Sequence, residues 1–207
     1  MPARSAEYMD EMRERILTAA LRCIEEKGLA NASLTDVCDA AQISRGALYV
    51  HFKSKNEMLC GVVDRAAERA LAKFGFADAQ GLHDMLVRDF DTNRESDMNV
   101  MYAEIELLGA ARTDGPLREA IWRARDTRIE LFRAGMRSLR KRGELRDDVS
   151  EQAAALTLTC FFEGLVPLTF ATPERREVCI EAVSALLAGL LKPKALRALT
   201  DAAKADN

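Results

Sequence analysis

Apolar side chains recur at intervals of three and four along most of this 207-residue chain, and glycines or capping residues break the rhythm at helix-length distances. That spacing confines the chain to stacked helices, because each segment has one apolar stripe to bury. Ile16, Leu17, Ala20, Leu21 and Ile24 predict a first helix over about 9–27, which Gly28 ends as a C′ glycine. Ser33 to Asp36 reads as a capping box opening a short helix to about Ala41, and Ser44 caps another through Val50. Ser54 to Glu57 is a second box, ahead of a long helix carrying Met58, Leu59, Val62, Val63 and Ala66.

Longer helices follow. Leu82, Met85, Leu86 and Phe90 mark one apolar face, and Met101, Ile105 and Leu108 another. Asp114-Gly115-Pro116 restarts the chain for a helix ending at Gly143, and the next spans about 150–170. Thr172-Pro173-Glu174 has cap, proline and first-turn acid in order for a helix to Leu191, where Lys192-Pro193 closes it. The expectation is an all-α fold of about nine helices, with an Ala- and charge-rich tail from Lys194 as a frayed helix.

The charge pattern narrows the function. The net charge is −3, yet Ile43–Lys55 holds three cations and no acid, while residues 1–55 balance eight basic against eight acidic side chains. A nucleic-acid footprint is thus confined to one short stretch. Five scattered cysteines and two histidines lack zinc spacing, so no metal or cofactor is expected, and the thiols read as buried and reduced. Residues 1–10 lack the apolar core of a signal peptide, and Glu163 and Pro167 interrupt the apolar run 153–171, so a cytoplasmic protein with a buried interface helix is expected.

The segment from Ser33 to Tyr49 has the layout of a helix-turn-helix. Leu34, Val37, Cys38 and Ala41 share one face of the bracing helix, and Leu48 and Phe52 point into the same core. That turns Arg45, Ala47, Tyr49 and His51 outward. Arg45 has the fork for guanine O6 and N7, Gly46 permits close backbone approach, and Ala47 suits a thymine methyl. Tyr49, His51 and Lys55 have the reach for phosphates, with Ser33, Thr35 and Ser44 as further contacts. Taken singly, each residue also fits a plain role: Tyr49 as half-buried packing, His51 as a surface histidine, Lys53 as a solvated turn residue.

The run Ser33-Leu34-Thr35-Asp36-Val37, then Ala41 to Tyr49, then His51 to Leu59 resembles the DNA-binding domain of TetR-family transcriptional regulators over about residues 10–65. Gln42 departs from it, standing where the family usually has glycine. A weaker likeness, through Glu106-Leu107-Leu108, Gly143 to Arg146 and Phe162 to Leu165, is to the effector half of choline-responsive regulators. The resemblance implies a DNA-binding domain over 9–65 with its recognition helix at about 44–50. It implies a ligand-binding and dimerisation domain over 66–192 and a tail over 193–207. It further implies a repressor on double-stranded DNA, released by an unknown small-molecule effector, with Phe90, Met101, Tyr102, Glu106, Trp122 and Phe161 as candidate pocket residues.

Segments 150–170 and 173–191 are apolar on more than one face and predict the homodimer interface. A twofold pair of recognition helices about 34–36 Å apart, or a multiple, predicts an inverted-repeat operator. Two other classes fit the sequence less well. A di-iron bundle enzyme needs Glu-x-x-His pairs, absent at His51 and His83, and no P-loop or nucleophile elbow occurs. An all-α protein-interaction adaptor leaves the acid-free stretch without a role.

Overall fold

Caps and glycines set the element boundaries. In the computed structural model, which describes residues 6–73, 75–88, 103, 105–171 and 176–205, every regular element is a helix. The ten are α1 (Ala6–Lys27), α2 (Leu34–Ala41), α3 (Arg45–His51), α4 (Lys55–Lys73), α5 (Ala79–Arg88), α6 (105–110), α7 (Gly115–Lys141), α8 (Glu151–Ala171), α9 (Arg176–Leu190) and α10 (Pro193–Ala205). Gly28 and Gly143 end α1 and α7 in the left-handed region, at φ +77° and +70°. Asp114 caps α7 by accepting from the Leu117 amide at 2.9 Å.

The described residues fall into two compact units. One joins the residues up to Arg69 with those between 103 and Arg125; the other takes the remainder. In the first, Ile16, Leu17, Ala20 and Ile24 of α1 pack with Val37, Cys38, Leu48, Phe52, Met58 and Val62, all buried. Ala103, Leu107, Ala111, Leu117 and Ala120 enter the same core. Residues 103 and 105–125, expected with the second domain, therefore pack in the helix-turn-helix unit. Gly61 lets α4 lie close on α1, since a Cβ there would sit 2.8 Å from Leu17 Cδ2.

The second unit packs Phe132 against Phe162, ring centroids 5.6 Å apart, around Leu82, Leu86, Met136, Leu145 and Leu158. Gly135 seats the Phe76 ring, which a Cβ would meet at 2.5 Å. An isolated bridge between Leu145 and Leu191 ties the α7–α8 connection to the end of α9, with Arg146 donating to the Leu190 carbonyl at 2.9 Å.

Three expectations change. The inward stripe of α6 is Leu107 with its alanine neighbours, while Ile105 and Leu108 are exposed, because small residues let the helix approach closely. The tail helix packs rather than frays: Pro193 opens α10, whose Ala195, Leu196 and Leu199 pack on the second core. Cys60 is half-buried and Cys160 exposed, so only three of the five thiols are buried. The start proposed at Thr172-Pro173-Glu174 lies outside the described residues.

The α2–α3 turn carries the sharpest local conflict. Gln42 sits at φ 53°, ψ 50°, and its amide and that of Ile43 donate to Asp39 and Cys38 carbonyls at 3.1 and 3.0 Å, a Schellman closure. A left-handed non-glycine residue is strained by about 1–2 kcal/mol, and glycine loses part of that gain through unfolded-state entropy. Gln42→Gly is expected to stabilise the chain by about 0.5–1 kcal/mol, read as a higher urea midpoint at unchanged slope.

Candidate nucleic-acid interface

α3 has seven residues, too few to hold a helix unaided, so packing sets its orientation. Leu48 and, at its end, Phe52 are fully buried against α1 and α4. Arg13 locks that end: it donates to the His51 carbonyl at 3.1 Å and its guanidinium lies 4.3 Å from the Phe52 ring centroid. Ser44 Oγ accepts from the Ala47 amide at 3.1 Å and caps the start.

With those positions inward, Ser44, Arg45, Gly46, Tyr49 and Val50 are exposed and Ala47 and His51 half-buried. Among the described residues the side chains of Arg45 and Lys53 make no hydrogen bond or ion pair. The surrounding cations do. Arg15 donates to the Gln42 carbonyl at 3.3 Å, Lys27 pairs with Asp36 at 2.5 Å, and Arg65 pairs with Glu14. Lys55, expected on phosphate, donates to the Ala32 carbonyl at 3.0 Å and is half-buried, so it braces the start of α4. Lys53, read as a solvated turn residue, is the freer cation.

α2 is braced by the expected box. Ser33 Oγ accepts from the Asp36 amide at 3.1 Å, and Asp36 accepts from the Ser33 amide at 2.9 Å. Thr35 in its first turn is exposed. At α4, Ser54 Oγ accepts from the Glu57 amide at 3.1 Å, but Glu57 reaches one residue further than the standard box, to the Lys53 amide at 2.7 Å. That bond fixes the backbone under Lys53.

Gly46 is unexplained by the fold. A Cβ there would meet only Ser44 Oγ, at 3.8 Å, so nothing within the protein demands glycine in a helix. Val50, which sequence reasoning passed over, is 63% exposed one turn on. Its i, i+4 spacing from Gly46 was the available signal.

The pocket candidates scatter. Phe90, Met101 and Tyr102 lie outside the described residues. Glu106 is a structural clamp: its carboxylate accepts the Leu29 amide, beside Gly28, where the left-handed turn leaves that donor in need of a partner. Trp122 is exposed, with Arg125 5.1 Å from its ring centroid, and Phe161 packs edge-on against Phe162 at 6.3 Å. An open cleft of about 510 Å³ between the starts of α4 and α7, lined by Ser54, Asn56, Cys60 and Asp114 among others, includes none of them.

The profile of bacterial regulatory proteins of the tetR family matches residues 16–60, which take in the second half of α1, all of α2 and α3, and the start of α4. CymR of Pseudomonas putida, an HTH-type transcriptional regulator, is 30% identical over 152 residues, 70% of this chain and 74% of CymR. The chain belongs to the TetR family. It is a DNA-binding transcriptional regulator. UidR of Escherichia coli K12, also an HTH-type transcriptional regulator, is 25% identical over 182 residues, covering 86% of this chain and 92% of UidR. A solved structure of SmeT with triclosan shares the fold at TM-score 0.69 and 24% identity, covering 88% of this chain and 93% of SmeT. No described helix is long and apolar enough to cross a membrane.

The clamp under α2 has a pH signature. The hydrogen bond from Lys27, then those from the Ser33 hydroxyl and amide, hold the Asp36 carboxyl well below the usual carboxylate range. A carboxyl depressed on folding stabilises above its unfolded value, about 3.9, and loses that contribution as pH falls through its folded value. Asp36→Asn is therefore expected to lower the urea midpoint at pH 7, with the difference from wild type shrinking below about pH 4.

Proposed function

We propose that the chain is a dimeric repressor that binds an inverted-repeat operator through α3 and is released by a small-molecule effector. The carrying observation is that Arg45, next to Gly46 at the start of α3, and Lys53, just past its end, stand exposed and unengaged, while neighbouring cations are tied to protein acceptors. Arg45 reads a guanine edge, Ala47 lies against a neighbouring base, and Lys53 and the hydroxyls of Ser33, Thr35, Ser44 and Tyr49 take phosphates. His51 and Lys55 act from the edge of this surface, each held by the fold.

Dimerisation belongs to α8 and α9, within the domain assigned to 66–192. They pack together and leave Leu156, Val178 and Ile180 exposed, at 51%, 62% and 43%, as large apolar groups on an otherwise formed surface. Pairing two copies there gives a four-helix bundle. The effector would act by favouring a state in which the two α3 helices no longer match successive grooves. Triclosan in SmeT is an instance of a small molecule held by this fold. Such a regulator works in the cytoplasm.

Two outcomes test this. Arg45→Ala is expected to cost about 1–3 kcal/mol of discrimination between selected and random duplexes, whereas Lys53→Ala weakens both equally and reduces the slope of log affinity against log salt by about one. In sedimentation equilibrium the wild-type chain should run at twice its 23.0 kDa mass. Leu156→Arg should run as a monomer with unchanged helical circular dichroism, since that side chain is exposed within one chain.

A further inference from the structure

Local preference is broken twice on one face of α3. Glycine is a poor helix residue by about 0.5–1 kcal/mol against alanine, and valine is stiff at χ1 in a helix. In a helix of only seven residues, Gly46 and Val50 both weaken the element, and one turn apart they share a face. Neither is compensated within the protein: the space around Gly46 holds only Ser44 Oγ within 4 Å, and Val50 is 63% exposed. Departures of this kind concentrate at functional positions.

We propose that Val50 is a specificity-determining residue that reads the C5-methyl group of a thymine in the operator. The inference rests on the DNA-reading role of α3 given above. A branched, uncharged side chain has no donor for a phosphate and no acceptor for a base edge. The one group a major groove offers it is the thymine methyl. Gly46 supplies the complementary half: with no Cβ, the helix backbone approaches closely enough for a short valine to reach the groove floor. Arg45 on the same short helix sets the register. Five residues of rise, at about 1.5 Å each, place the methyl about two base pairs from the guanine that Arg45 forks. Ala47, the other apolar candidate, is half-buried and shorter, so Val50 is the farther-reaching contact.

The test uses the full chain and a random duplex library. Sites selected by the wild-type protein are resynthesised with each thymine in turn replaced by deoxyuracil, which removes only the methyl. One thymine per half-site is expected whose replacement weakens wild-type binding about three- to fivefold, the loss of one buried methyl. Val50→Ala should bind thymine and uracil duplexes alike at that position, and Val50→Ile should keep the thymine preference. Because the residue is exposed and alanine is the better helix former, loss of folding does not confound the comparison. Selection of a defined site in which Val50→Ala retains the full uracil penalty, or in which no thymine shows one, overturns the role of Val50 alone. Failure of the wild-type protein to enrich any sequence overturns the DNA-reading role of α3 itself.

Discussion

Everything the first unit presents depends on the burial of Leu48 and Phe52. They are the two inward anchors of a helix too short to stand alone, and each contributes about 1.5–3 kcal/mol by leaving water. Two anchors four residues apart fix rotation as well as position. With both sealed in the core, Arg45, Gly46, Tyr49 and Val50 are left on the exposed side of the helix. Arg13 adds a polar lock to the same end by holding the His51 carbonyl and covering the Phe52 ring.

The same architecture sorts the cations. Arg13, Arg15, Lys27, Lys55 and Arg65 lie around the helix-turn-helix, and each spends its charge on a carbonyl or carboxylate of the protein. Among the described residues of the helix-turn-helix, Arg45 and Lys53 remain for an outside partner, aided by hydroxyls. On a chain of net charge −3, so short a free basic stretch puts the weight of the proposed discrimination on base-edge contacts. Gly46 fits that economy, since close approach compensates for sparse charge.

Most of α1 to α4 was legible because its punctuation is local chemistry. Gly28, the Ser33–Asp36 box and the Ser44 cap act over three or four residues and need no knowledge of the rest of the chain. Legibility failed where a side chain's partner lies far off in sequence. Lys55 and Lys53 look alike on paper, and only folding brings Ala32 to one of them. Glu106 looked like a ligand group because nothing nearby announces the Leu29 amide 77 positions away. The inward face of α6 is built partly from alanines, which carry little periodic signal, so the spacing points Ile105 and Leu108 inward although both are exposed. Pro193 reads in sequence as a stop, yet its fixed φ serves equally well at the first position of α10.

The central claim is that the face of α3 opposite Leu48 and Phe52 is the one that meets DNA. Oxidative side-chain footprinting of the full chain, with and without duplex DNA, tests it directly, because Tyr49 and Trp122 are both reactive aromatics of similar exposure, 47% and 54%. The account predicts that duplex DNA protects Tyr49 several-fold while labelling of Trp122 is unchanged. Equal labelling of Tyr49 in the free and DNA-bound states would contradict it.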